Sequence, residues 1–420
     1  MKSYFLFDLC FVIYSIYFLL YMGSIIYKNK SIFKFGKYLF IFGIITHTVG
    51  IILKTAEAGH APLVNMYESL LFFTWSIASI YFILEHNYKT KILGVFITPL
   101  IILGLLYSKT LSSEPEPLVP ALQSMWLEIH VITSFVGYGA FAIAYGLGLM
   151  YLLGPLKESN NAHSNFAIFN VSFMVTCVLT FFTGIILKFI EKIRGILIFP
   201  FYNTQKEMIS ERISKFALSN FILFITFFAG FILIFLMCHF FRKKLSKKFI
   251  YLFPELNIVI MITFLIYYIM RILLIAGNSA VISTNLQMLI LNTMVCCIIF
   301  IGSLVLIIKK RKSLELYLPG LNVIDSIIFN AISFGFPFLS CGIITGAVWA
   351  NSAWGTYWGW DPKETWSLVT WFVYAAYLHA RYAKGWKDEK ASYLAIYGFI
   401  TVIFTYFGVN LFFAGLHSYA

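Results

Sequence analysis

Long apolar runs separated by short polar stretches dominate this chain. Twelve of the runs are long enough to cross a hydrocarbon core of about 30 Å as helices. They lie near 5–26, 38–55, 67–85, 91–107, 130–154, 166–188, 216–241, 255–276, 285–308, 324–348, 363–381 and 391–413. The longest stretch between them is 189–215, which leaves no room for a soluble catalytic domain. The pattern predicts an all-α fold: a polytopic integral membrane helix bundle of about twelve transmembrane helices. Any chemistry must sit in the helices and the short loops. The first run, Phe5 to Ile26, is too long for a signal-peptide core and is expected to be a retained span.

Charge adds sidedness to this picture. Alternate loops at 28–37, 89–91, 157, 242–248, 309–312 and 381–390 hold twenty of the 31 Lys and Arg. The positive-inside rule makes that set cytoplasmic. Both termini, with 56–66, 108–129 and 349–362, then fall on the outer (periplasmic or lumenal) side. One stretch is dissonant: 188–215 is basic yet falls outside, which fits an amphipathic segment on the membrane or a span count off by one. Arg271 stands inside a span, where an ionisable side chain is a functional candidate by default and a snorkelling or paired residue otherwise.

Composition narrows the class. The chain is 60% hydrophobic and 12% charged, against roughly 25% charged in an ordinary soluble domain. A soluble domain of 420 residues could not cover that much apolar surface, so a soluble enzyme, a disordered chain and a disulfide scaffold are all excluded. The formal net charge of +13 reads as topology, and no nucleic-acid partner is expected. Six Cys lie in or at the ends of apolar runs, without a C-x-x-C pair. Neither a dithiol redox motif nor a zinc site is suggested, and without C-x-x-C-H the chain is not itself a c-type cytochrome.

Trp is distributed very unevenly. Trp349, Trp354, Trp358, Trp360 and Trp366 fall within 18 residues, interleaved with Gly, and Trp371 follows. An interfacial belt needs only scattered Trp. Dense Trp with Gly points instead to a flat apolar shelf for a large planar ligand. Asp361-Pro362-Lys363-Glu364 is a capping-box pattern, so Asp361 reads first as the N-cap of the next helix and only second as a ligand-binding residue.

Topology sorts the eight His. His130 and His417 sit at outer helix ends, flanking the Trp loop. His379 lies about 27 Å below Asp361 along one helix, near the cytoplasmic side. His47 is mid-span, His60 is in an outer loop, and His86, His163 and His239 are at cytoplasmic helix ends. Two imidazoles beside an aromatic shelf suit the axial positions of an iron porphyrin. Two His without Cys or a carboxylate cluster make a poor zinc site. On spacing alone, a structural role for His130 and His417 is equally open. Along the fifth span Gly137, Ala140, Ala144 and Gly148 form a small-residue face that predicts close helix approach beside His130.

These residues resemble a known family. Gly342 through Trp366, then Tyr377-Leu-His379-Ala-Arg381, then Thr405 through Asn410 and Gly415 through Tyr419, are similar to the CcsA (ResC) subunits of System II cytochrome c synthases, with the WWD signature of heme-handling proteins. Gly59–Leu70 and Trp126–Val131 resemble the same family, and the continuation P-K-E-T-W favours System II over System I. The resemblance covers roughly 1–157 and 323–420, divides the chain into these parts, and leaves 158–322 as an inserted transmembrane segment. It implies heme b as ligand and cargo, with His130 and His417 as the outer axial pair, His379 as a transmembrane ligand, and Trp349, Trp354, Trp358, Trp360, Asp361 and Trp366 at the heme site. It implies a CcsB (ResB) membrane partner that supplies the second transmembrane ligand, apocytochrome c as acceptor, and a thioredoxin-like thiol reductant. Heme would move from His379 to the shelf and be presented for thioether attachment, making the chain the heme-presenting subunit of a heme lyase. No catalytic side chain of its own is required. The expected location is the bacterial cytoplasmic membrane, with a thylakoid membrane second. The rival readings are a b-type electron-transfer subunit, which needs facing His pairs inside the bilayer, and a small-solute permease.

Overall fold

The computed structural model describes residues 3–26, 30–61, 63, 65–88, 92–109, 111, 122–154 and 318–412. The expected spans at 166–188, 216–241, 255–276 and 285–308 lie outside the described residues, as do the rest of 155–317 with Arg271, most of the 108–129 loop, and the tail with His417.

The described residues form α1 (Ser3–Ile26), α2 (Lys30–Ala58), α3 (Met66–Tyr88), α4 (Leu93–Ser108), α5 (Met125–Leu153), α6 (Leu321–Trp354), α7 (Pro362–Lys384) and α8 (Asp388–Ile403). A π-helical turn, Phe404–Gly408, joins α8 to the short α9 (Val409–Phe412). Each expected span among the described residues is a helix, and no strand occurs among them. Among the described residues six helices are long and apolar enough to cross a membrane: α1, α2, α3, α5, α6, and α8 continued through the π turn. The other two differ for separate reasons. Helix α4 has 16 residues and reaches only about 24 Å. Helix α7 carries Lys363, Glu364, Arg381 and Lys384, which make it the more polar.

Local signals fix the helix ends. The Ser124 side chain accepts the Trp126 N–H at the start of α5. Gly355 (φ 77°) closes α6 and Gly385 (φ 60°) closes α7 in the left-handed conformation, which an L side chain resists.

Helix α5 is the centre of the bundle. Ala140, Phe141, Ala144, Leu147 and Met150 are all fully buried. Its small residues set the approach of two neighbours. A Cβ on Gly137 would lie 3.0 Å from the Gly335 carbonyl of α6, and one on Gly148 would lie 3.0 Å from the Ser392 carbonyl of α8. The expected small face therefore exists, but it serves two helices, α6 near His130 and α8 farther along.

The end opposite the Trp-rich loop is tied by charge. Arg381 of α7 holds Asp325 of α6 in a two-pronged pair at 2.8 and 2.5 Å. The backbone N–H of Asp388 donates to Asp325, and Tyr151 of α5 donates to Asp388. Four helices meet at this cluster. At the loop end, α2 and α3 share a second buried pair, Lys54–Glu68 at 3.6 Å.

Candidate functional site

At the loop end, α6 finishes at Trp354 and α7 begins at Pro362, and seven residues make the turn. The expected capping box is present: Asp361 Oδ2 accepts the Lys363 N–H at 3.1 Å, and Glu364 Oε2 accepts the Asp361 N–H at 3.2 Å. The same Glu364 oxygen takes the Gly359 N–H at 2.8 Å, so one carboxylate fastens the loop to the helix. Within that clamp Trp360 is held at φ 57°, a left-handed conformation that an aromatic residue rarely adopts.

The tryptophans do not form one flat shelf. They pair edge to face, as ring quadrupoles favour. Trp349, 1% exposed, meets Trp354 at 4.8 Å and 65°, and Trp358 meets Trp360 at 5.9 Å and 87°. Trp366 packs on Phe404 of the π turn at 4.2 Å. Trp360 is 70% exposed. Trp349 and Trp358 line a cavity of about 150 Å³, and Trp354, Trp360 and Trp366 do not.

The cavity brings distant parts of the chain together. Asn65 and Ser69 of the α3 region, His130 and Tyr138 of α5, Tyr357 and Trp358 of the loop, Lys363 of α7, and Thr405, Tyr406 and Asn410 beyond α8 all face it. His130 is half-buried there, its ring parallel to Trp349 (15°) at 6.5 Å. Its Nδ1 lies 2.6 Å from the Gly342 carbonyl. A carbonyl can only accept, so Nδ1 carries the proton and Nε2 has the lone pair. Gly346, one turn on, is essential to this fit: a Cβ there would be 2.6 Å from His130 Nδ1. Lys363 Nζ donates to Asn410 Oδ1 at 3.1 Å. The buried Trp358 Nε1 has no hydrogen-bond partner. The π turn places Thr405, Tyr406 and Asn410 on the cavity, and Tyr406 and Ser69 join their hydroxyls at 2.7 Å.

The other expected histidines stand apart. His379 is exposed on α7, away from the cavity. His47 is fully buried against Phe7 (5.7 Å) and Tyr14 (6.1 Å), beside the Leu71 backbone, and does not line the cavity. His60 Nδ1 lies 2.9 Å from the Ala61 carbonyl, a loop contact. Sequence reading passed over Lys363, Tyr406 and Asn410 as individual site residues, although all three lie inside the stretches that carried the family resemblance. It also passed over the Asp325–Arg381 pair. An acid and a base at matching ends of two adjacent spans was the signal available.

The fold and site define a multi-pass membrane protein, built of helices throughout its described residues, with a His- and Trp-lined cavity at one end. The family described as Cytochrome C assembly protein matches the chain over residues 63–190 and 193–417. Among similar proteins, the cytochrome c biogenesis protein CcsA of Trichormus variabilis is 31% identical over 371 residues, covering 86% of this chain and 82% of the relative. CcsA of Guillardia theta is 30% identical over 378 residues, covering 88% and 80%. The chain belongs to the cytochrome c assembly family, as a CcsA subunit of System II. The matched ranges extend across almost all of 158–322.

Proposed function

We propose that this cytochrome c biogenesis protein binds heme b at the loop-end cavity, with His130 Nε2 as an axial iron ligand, and presents it to apocytochrome c. The observation that carries this reading is the bond from His130 Nδ1 to the Gly342 carbonyl. Metal-binding imidazoles are commonly oriented this way by the partner of the other ring nitrogen. The cavity, about 150 Å³, is smaller than the roughly 300–1,000 Å³ of a site that engulfs a small ligand. An edge of the macrocycle would enter it, with the remainder lying against the exposed Tyr357 and Trp360. His417 would supply the opposite axial ligand.

The exposed position of His379 suits a second heme site shared with another subunit. There His379 and a ligand from a CcsB (ResB) partner would hold heme on its way from the cytoplasmic side to the outer side. At the cavity, each thiol of the C-x-x-C-H motif adds across a heme vinyl. The sulfur bonds to one vinyl carbon and the thiol hydrogen ends on the other, so no group of this chain need act as nucleophile or base. The protein contributes position. A thioredoxin-like reductant would keep those thiols reduced, and the setting is the bacterial cytoplasmic membrane, with both termini outside.

An electron-transfer subunit would need His pairs facing each other inside the bilayer. Among the described residues the buried His47 faces Phe7 and Tyr14 instead. The test is the heme spectrum of the purified complex with His130→Ala. We expect loss of the native axial signature and its recovery when imidazole is added. A native spectrum in the variant would overturn the ligand assignment.

A further inference from the structure

We propose that Lys363 and the indole N–H of Trp358 form a carboxylate-binding subsite in this cavity, and that it takes the propionates of the porphyrin. The inference rests on heme being the cavity's ligand and adds which edge of it enters.

Two observations point to an anion. Trp358 Nε1 is buried, lines the cavity and meets no acceptor. An indole N–H can only donate, so its need is met by a ligand oxygen. Among the described residues Lys363 is the only Lys or Arg lining the cavity, and it is held in place: Asn410 accepts from its Nζ at 3.1 Å, and Asp361 lies beside it. The carboxylates nearby do not compete with a ligand for these donors on equal terms. Glu364 Oε2 is committed to the N–H groups of Gly359 and Asp361, and Asp361 Oδ2 to that of Lys363, all at the positive end of α7. Other oxygens on the wall are already engaged: Ser69 with Tyr406, and Thr405 with Thr370. The unmet donor on this wall is the Trp358 N–H, and Lys363 on the same wall favours a ligand acceptor that carries negative charge.

In protoporphyrin the two propionates leave one edge of the ring and the vinyls lie on the other side. Anchoring the carboxylates at Lys363 and Trp358 turns the vinyl side out of the cavity. That is the orientation required if thiols of a docking chain are to reach it. Lys363 and Trp358 are thus positioning residues, acting on the carboxylates and not on the reacting carbons.

The experiment compares hemin with hemin dimethyl ester, which lacks the charges but keeps the ring and iron. Both are titrated into the purified complex carrying the wild-type chain, Lys363→Met, Lys363→Arg or Trp358→Phe. The acid-to-ester affinity ratio of each variant is divided by that of the wild type, which cancels partition of the ester into detergent. Charge-assisted hydrogen bonds predict a ratio about tenfold lower in Lys363→Met. It should be nearly unchanged in Lys363→Arg and a few-fold lower in Trp358→Phe. The histidine-ligated iron spectrum should persist in all three. Equal ratios in wild type, Lys363→Met and Trp358→Phe overturn the subsite while leaving heme binding intact. Failure of the wild type to take up either porphyrin overturns the heme reading itself, and the subsite with it.

Discussion

Gly346→Ala is the most direct probe of the site. The added Cβ would lie 2.6 Å from His130 Nδ1 and 2.8 Å from its Cε1. Ordinary carbon contacts sit near 3.5–4.0 Å, so the ring must retreat by roughly 1 Å. It cannot do so and keep Nδ1 at 2.6 Å from the Gly342 carbonyl. The cost has two parts: about 1–3 kcal/mol for overpacking and about 0.5–1.5 kcal/mol for the lost hydrogen bond. The functional effect should exceed the stability effect, because a reacting group displaced by about 1 Å can lose 10²-fold in rate. The assay pairs the heme spectrum of the purified complex with the yield of mature c-type cytochrome in cells. We expect Gly346→Ala to resemble His130→Ala in both. Gly335→Ala, whose Cβ would lie 2.8 Å from Phe141 and 3.0 Å from Ala140 of α5, damages the same helix contact about two turns from the imidazole and should lower thermal stability more than it alters the iron spectrum. Gly359→Ala, whose Cβ would come no closer than 3.9 Å to Glu364, should change neither. A wild-type spectrum and cytochrome yield in Gly346→Ala would refute the claim that this carbonyl and this glycine hold His130 in its working position.

Two further outcomes test the frame around the site. Asp325→Leu strands the Arg381 guanidinium, whose side chain is 12% exposed, and should destabilise by about 3–5 kcal/mol; adding Arg381→Leu should recover most of that in thermal unfolding, and simple additivity of the two losses would show that the pair is not coupled. His47→Leu replaces a fully buried imidazole with an apolar side chain and should leave stability within about 1.5 kcal/mol and heme content unchanged; a marked fall in heme would show that His47 belongs to the ligand path after all.

Much of the frame was legible in the chain because the signals are local. Apolar run length fixes a span, and the described helices follow those runs closely. Asp361 and Glu364 announce a capping box by spacing alone, and Gly137 and Ala140 announce a close helix contact. The shape of the site was less legible because it depends on partners far apart in sequence. Nothing near His130 indicates that its tautomer is set by a carbonyl at position 342, or that Gly346 clears its space. The Trp-rich segment shows the same limit: composition gives the ring count, but the angle between rings follows from packing, and packing turned an expected flat shelf into perpendicular pairs. Lys363 is a third case. In sequence it reads as the middle of a cap, and only the approach of Asn410 through the π turn shows it directed at the cavity.

That turn also makes the site sensitive to helical phase. The π segment Phe404–Gly408 holds one residue more than an α-helical path would over the same rise, and each residue is worth about 100° of rotation. Thr405, five positions before Asn410, can thereby share a wall with it. Deleting Phe407, which does not line the cavity, would preserve every side chain named there and still turn Asn410 away from Lys363. The identity of the last helix's residues and their bearing are therefore separate quantities, and substitution scans that alter one residue at a time sample only the first of them.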